Sequence, residues 1–362
     1  MSRRVLAWLC CLPLLFCTGC WDAVELQNRG FVLSIAIDRG KKAEDHFIVH
    51  LTLPNVAALA NQDGESKKDS VKTASGPTLA AAMKQEDSLT SEKITIAQAK
   101  LVILALDVLH DETMLRETLD YLERNQEVNR RILLMATTSN TKKVLAAKTT
   151  GNPMLGLYIA EFYKTAASGA GATFRQDLDK FLFDMENGCG LLPVIIAEKD
   201  DDIKIGGSVL VTGGKAVKTL NEQETRGYLW ARAACQGAVV SSTLDGQPTA
   251  FAVSSSKGGI ALIPGDQPQC LLTAKITGSW DEQEQANLPA AQQELTEQIA
   301  TEITRTTDIF QENHADAYGL REIMRKHHPR EYMRIEDWNS WLDTVTYTPV
   351  VSVWVTGMGR MK

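Results

Sequence analysis

Leu101-Val102-Ile103-Leu104-Ala105-Leu106 has no polar residue at either phase of a two-residue repeat. A strand built from it has two apolar faces, so it must lie inside a sheet that is covered on both sides. Downstream, Leu115, Leu119 and Leu122 fall on one face of a helix that Asp111 can cap, and Ile132 to Ala136 is a second apolar strand. Upstream, Phe31, Leu33, Ile35 and Ile37 recur with period two, as do Phe47, Val49, Leu51 and Leu53, which predicts a hairpin around Asp38-Arg39-Gly40-Lys41. Leu79 to Met83 predicts a short helix entered at Pro77. The order β-β-α-β-α-β describes a mixed sheet with helices packed on it.

Between the second strand and that helix, Gln62 to Pro77 offers little to bury and reads as a mobile loop inside the domain. Two amphipathic helices are expected between Pro153 and Met185. One carries Leu155, Tyr158 and Phe162, and the other Phe174, Leu178, Phe181, Leu182 and Met185, with Ser168-Gly-Ala-Gly171 between them. Pro193 to Ile196, followed by the acidic run Glu198 to Asp202, is the best candidate for a domain boundary.

Beyond it the pattern turns to hairpins. Gly207 to Val211 and Ala216 to Leu220 flank Gly213-Gly214, a two-residue turn that tolerates positive φ at both positions. Asn221 and Glu224 have the spacing of a capping box ahead of Tyr228, Leu229 and Trp230. Strands are expected at Ala238 to Ser242, Thr249 to Ser255, Cys270 to Thr277 and Val345 to Val355. A long helix from Pro289 to Gln311 is marked by Leu295, Ile299, Ile303, Thr306 and Phe310.

The 362 residues carry 45 Asp+Glu against 38 Lys+Arg and are 44% hydrophobic, enough for two or three domains with their own cores. Arg3 and Arg4 hold the only charges of the first nineteen residues, so a chain starting at Cys20 has a net charge of −9. Such a balance argues against nucleic acid and against adsorption to anionic lipid through basic patches.

Arg3-Arg4 followed by uncharged Val5 to Phe16 has the basic and apolar regions of a secretory signal, and is shorter than the roughly 20 apolar residues a membrane span needs. It ends in Cys17-Thr18-Gly19-Cys20 before polar Trp21-Asp22, which resembles a bacterial lipobox with Cys17 where Leu is usual. Cys20 is the expected lipidation site, and two acyl chains hold a protein on a bilayer where one does not. Cys189, Cys235 and Cys270 form an odd and widely spaced set, read as buried small hydrophobes rather than a disulfide framework.

Several of these segments fall in the order of one family. Cys20-Trp21-Asp22 with Glu25-Leu26, Val32 to Asp38, Leu119 to Val128, Leu220 to Trp230, Asp316-Ala-Tyr-Gly-Leu320, Trp338-x-x-Trp341 and a strand ending in Gly357 together resemble the Ger(x)C spore-germination lipoproteins, the C subunits of nutrient germinant receptors. One departure is Ala97-Gln98-Ala99-Lys100, where family members often carry a His before the Lys. The resemblance implies a lipid-anchored, noncatalytic subunit on the outer face of the inner spore membrane, bound to integral membrane subunits.

No catalytic constellation competes with this. His46 and His50 could share a strand face and a metal ion, but solvated or edge histidines are the simpler reading. His327-His328 lies in a basic run from Arg321 to Arg334 that reads as a solvated loop, or as a surface for headgroups or an acidic partner. Ser254-Ser-Ser-Lys257 has the Ser-x-x-Lys spacing of serine acyl transferases but lies at a strand end, and Gly213-Gly-Lys215 lacks the rest of a phosphate-binding loop. The acidic run Glu198 to Asp202 reads as an exposed linker rather than a cation site. Trp338 and Trp341, one helical turn apart, read as core or as a partner anchor.

The expectation is an α+β, multi-domain protein with mixed and antiparallel sheets and packed helices behind a lipoprotein signal peptide. Residues 1–19 form the signal, 20–200 an N-terminal α+β domain, and 201–362 a C-terminal α+β region with room for two subdomains. No cofactor or metal is expected. The alternative is a tethered lipoprotein that captures a small solute directly; it would favour two similar lobes around a cleft, and the halves on either side of residue 200 are unalike in pattern.

Overall fold

The computed structural model describes residues 29–54, 69–86, 93–147, 149, 154–164, 171–199, 202–244, 247–280 and 288–358. The first half supplies strands β1 (Arg29–Phe31), β2 (Ser34–Arg39), β3 (Phe47–Pro54), β4 (Asp69–Gly76), β5 (Lys93–Thr95), β6 (Leu101–Ala105), β7 (Leu133–Thr137) and β8 (Cys189–Ala197). Its helices are α1 (Leu79–Glu86), α2 (Leu106–Leu109), α3 (Glu112–Arg124), α4 (Thr141–Leu145), α5 (Leu155–Phe162) and α6 (Leu178–Glu186). The second half adds strands β9 (Ile203–Thr212), β10 (Lys215–Leu220), β11 (Val239–Leu244), β12 (Gln247–Ile263), β13 (Gln269–Trp280) and β14 (Thr346–Met358). Helices α7 (Glu222–Ala231), α8 (Leu288–Glu312), α9 (Leu320–His327), α10 (Pro329–Tyr332) and α11 (Trp338–Asp343) complete it.

The described residues form an eight-stranded sheet in the order β10-β9-β8-β7-β6-β2-β3-β4, a four-stranded sheet β11-β12-β13-β14, and the small pair β1-β5. Strands β2, β6, β7 and β8 run parallel at the centre of the large sheet, with antiparallel hairpins at both ends. Every residue of β6 and β7 is buried, because their two faces open onto different cores. Val102 and Leu104 pack with α1, α2, α3 and α6, whereas Leu101 and Ile103 pack with α4 and α5. Asp111 caps α3 by accepting from the Met114 N–H at 3.1 Å.

The hairpin at Gly213-Gly214 turns with φ of 58° and 81°, the positive pair that a primed turn requires. The capping box of Asn221 and Glu224 is formed on α7, and the predicted long helix runs as α8.

Other expectations need correction. Asp69–Gly76, the second half of the supposed loop, is strand β4 paired with β3; its alternation is of small polar residues, which suits an edge, and 62–68 lie outside the described residues. The expected first strand is divided between β1 and β2, and β2 and β3 are joined by a 3-10 turn at Ala43–Asp45 instead of a tight turn at Asp38-Lys41. Phe174 precedes α6 and packs on the core of the second half. The strands on either side of residue 200, β8 and β9, are neighbours in the large sheet.

At Gly156 of α5 a Cβ would stand 2.4 Å from the carbonyl oxygen of Leu33, which lies between β1 and β2. Gly156→Ala is therefore expected to lower stability by about 1–3 kcal/mol in urea denaturation, with the far-UV circular dichroism of the native state unchanged.

Candidate functional site

Cys20 and the rest of the expected signal and lipobox lie outside the described residues. The structure separates the two candidate histidines. His46 follows the 3-10 turn, while His50 is buried in β3 with Nδ1 2.8 Å from Thr73 Oγ1 and Nε2 3.1 Å from Asp38 Oδ2. Thr141 of α4 donates to the same carboxylate oxygen. The ring thus spends both nitrogens on joining β2, β3 and β4, which leaves neither for a metal ion. Among the described residues no three His, Cys, Asp or Glu are grouped to hold one.

Ser254 Oγ donates to the Thr277 carbonyl at 3.0 Å, and Lys257 lies three residues along an extended strand, roughly 10 Å on. Glu198 N–H donates to the Asp202 carbonyl at 2.8 Å and closes the β8–β9 turn. Cys189, Cys235 and Cys270 are free and buried. Burial raises all three thiol pKa values, that of Cys270 to about 12.

The best-built polar constellation joins α7 to α8. Glu302 of α8 has a side chain only 3% exposed, and its carboxylate accepts from Arg226 Nε at 2.9 Å, Arg226 Nη2 at 2.5 Å, Trp230 Nε1 at 2.9 Å and Gln223 Nε2 at 3.3 Å. A buried charge persists only with such a set of donors. Gly227 faces the same helix so closely that a Cβ would lie 2.2 Å from Thr306 Oγ1 and 2.3 Å from the Glu302 carbonyl oxygen. Thr306 Oγ1 in turn donates to the Glu224 carbonyl at 2.7 Å. On its other side α7 meets the large sheet, with Thr225 Oγ1 2.9 Å from Ser208 Oγ of β9. The residues Asn221 to Trp230, which carried part of the family resemblance, therefore cap, clamp and pack a helix between two sheets. Sequence reading found the cap but missed Glu302, whose partner Arg226 is 76 residues away.

The run from Arg321 to Arg334 is helical as α9 and α10, not a loop, because Leu320 and Met324 give α9 an apolar side. Part of its positive charge is met internally. Glu322 accepts from Arg325 at 2.8 and 2.9 Å and from Lys326 at 2.8 Å, which holds its carboxyl down at about 2. Asp316 accepts from the Leu320 and Arg321 N–H groups at 2.7 Å each; burial outweighs these bonds and pushes its carboxyl up to about 6. Trp338 and Trp341 are partly buried with ring centroids 4.7 Å apart, and the Arg321 guanidinium lies 5.2 Å over Trp338. Arg321 and Trp338 border an open hollow of about 530 Å³ lined also by Tyr332, Met333 and Asp337, with Met333 78% exposed. This hollow offers contact area and charge, and holds no paired acid and base.

Residues 22–197 match the family model described as Spore germination protein N-terminal domain, and residues 205–359 that described as Spore germination B3/GerAC like, C-terminal. The spore germination protein YndF of Bacillus subtilis (strain 168) is 23% identical, with 97% of this chain and 96% of YndF aligned. Spore germination protein B3 of the same organism is 22% identical over 89% of each chain. Putative spore germination protein YfkR, also from Bacillus subtilis, is 32% identical over 38% of this chain and 36% of its own. The crystal structure of the GerBC protein superposes with a TM-score of 0.59 at 20% identity, covering 89% of this chain and 97% of GerBC, which shows a shared fold. The two family regions meet between residues 197 and 205, at the β8–β9 turn.

Removing Glu302 leaves Arg226 as an uncompensated, mostly buried charge, so Glu302→Ala is expected to cost about 3–5 kcal/mol in chemical denaturation, far more than Glu297→Ala on the exposed side of α8. The three thiols are expected to react with Ellman's reagent only after denaturation, all three of them; protection from the reagent in denaturant without reductant would contradict the free state.

Proposed function

We propose that this chain, which belongs to the spore germination B3/GerAC-like family, is a lipid-anchored, noncatalytic subunit of a nutrient germinant receptor that acts by binding integral membrane subunits. The observation that carries the reading is the pair of consecutive family matches across residues 22–359, set beside a body whose buried His50 and Glu302 are committed to internal bonds. Cys20, at the end of the signal-like segment, is the residue to which the anchor is assigned. Among the described residues no helix is long and apolar enough to cross a membrane, so a bilayer location for this body would rest on such an anchor. Confinement to the surface of the inner spore membrane raises the local concentration beside integral partners, and modest interfaces then suffice.

Direct solute capture would favour two like lobes around a cleft. An eight-stranded mixed sheet that shares α7 with a four-stranded sheet of different topology is a poor match to that plan.

Cys20→Ala is expected to move the protein from the membrane to the soluble fraction or to leave it unprocessed, and to abolish co-purification of the integral subunits from detergent-solubilised membranes. An unmodified N-terminus elsewhere by intact mass, or tight nutrient binding by the isolated soluble form with no membrane partner recovered from the wild type, would contradict the reading.

A further inference from the structure

A sheet ends in two edge strands, and each edge presents unpaired N–H and C=O groups to any strand that can reach them. Of the four edges of the two larger sheets, three are blunted: β10 carries Lys215 and Lys218, β4 carries Lys72, and β11 is only six residues long. The fourth, β14, differs. It runs thirteen residues, Thr346 to Met358, without a single charge, and among the described residues no strand pairs with its outer edge.

The phase of β14 follows from one bond. Thr346 N–H donates to the Pro268 carbonyl at 2.9 Å, toward β13, so with the alternation of a strand the even positions through Trp354 turn their backbone groups to β13 and the odd positions turn theirs outward. Pro349 is odd, and its missing N–H costs the sheet nothing. Val351, Val353 and Val355 then expose donors and acceptors along the edge. Side chains alternate in the same phase: Val353 is 2% exposed in the core, whereas Val350 and Trp354 are 46% and 49% exposed on the open face.

We propose that this edge binds β14 of a second copy of the chain, antiparallel about a two-fold axis through Ser352. In that register Val351 and Val353 exchange backbone bonds with Val353 and Val351 of the second copy, and the Val355 N–H meets the carbonyl of Pro349. The half-exposed Trp354 of each copy falls opposite the half-exposed Val350 of the other, an aromatic and β-branched pair of the kind that stabilises neighbouring strands. Self-pairing of an uncharged strand meets no like-charge repulsion, and the two four-stranded sheets become one of eight strands. The proposal does not depend on the lipid anchor.

The register sets Ser352 opposite itself in a non-hydrogen-bonded pair, where the Cα separation of about 4.5 Å permits a disulfide. The test is mild oxidation of full-length, detergent-solubilised Ser352→Cys protein, with Val239→Cys, a more exposed position at the far edge of the same sheet, as the control. The expected result is a disulfide-linked dimer for Ser352→Cys in at least about tenfold excess over the control, matched by a dimer of the wild type in sedimentation. Adding Val350→Lys with Trp354→Lys to Ser352→Cys is expected to abolish the cross-link, and Val350→Glu with Trp354→Lys to retain it, because only the second set places opposite charges across the axis. A monomer at every concentration without cross-link, equal cross-linking at Val239→Cys, or a Ser352→Cys cross-link to a different polypeptide alone would overturn the proposal.

Discussion

The carboxylate of Glu302 is the constraint on which the arrangement of the two sheets depends. A buried anion needs donors on several sides, and α7 supplies them from Gln223, Arg226 and Trp230 on successive turns of one helix face. Satisfying it fixes the rotation of α7 against α8 and brings Gly227 into backbone contact with that helix. With α7 fixed, its remaining faces have only one place each to go. Thr225 meets Ser208 on the large sheet, Tyr228 enters the aromatic cluster with Phe310 and Tyr318, and Ala231 at the end of the helix rests on Gly258 of β12, where a Cβ would lie 2.5 Å from the Ala231 carbonyl oxygen. One short helix thus positions the four-stranded sheet relative to the eight-stranded one.

What sequence reading could recover follows the range of the physics. The Gly213-Gly214 turn, the Asn221 to Glu224 cap and the apolar stripe of α8 are set by residues within a few positions of one another, and each was legible. Strand β4 was not, because an edge strand of Ser, Lys, Thr and Ala has no apolar alternation and owes its form to β3. The far half of β12, beyond Ser255, was missed for a related reason: Gly258 and Gly259 have no side chain to carry an alternation, and Gly258 admits the end of α7. The acidic run near residue 200 lies where the two family regions divide, but the pairing of β8 with β9 across it was not legible, because composition says nothing of which strands pair. His50 was read for its spacing to His46, whereas its environment comes from Asp38, Thr73 and Thr141 on three other elements.

The segments that carry the family resemblance gain a physical meaning from this. Leu220 to Trp230 is the clamp between sheets, Asp316 to Leu320 places a carboxylate under the first turn of α9, and Trp338 and Trp341 stack on the surface beside Arg321. The first two are requirements of the scaffold. The third lies where a partner can reach it, as do the open face and edge of β14. A body held rigid in this way presents fixed surfaces, which suits a component that works by contact, and the family to which the chain belongs is one of spore germination proteins.

The central structural claim is that α7 makes both sheets one cooperative unit, and native-state hydrogen exchange tests it most directly. Amides of Thr225 to Trp230 in α7 should open with the same free energy as those of Val102 to Leu104 in β6 and Leu272 to Ile276 in β13, since none of the three can exchange without global unfolding. If α7 and β13 exchange at a markedly lower free energy than β6, the two sheets unfold separately and the account fails.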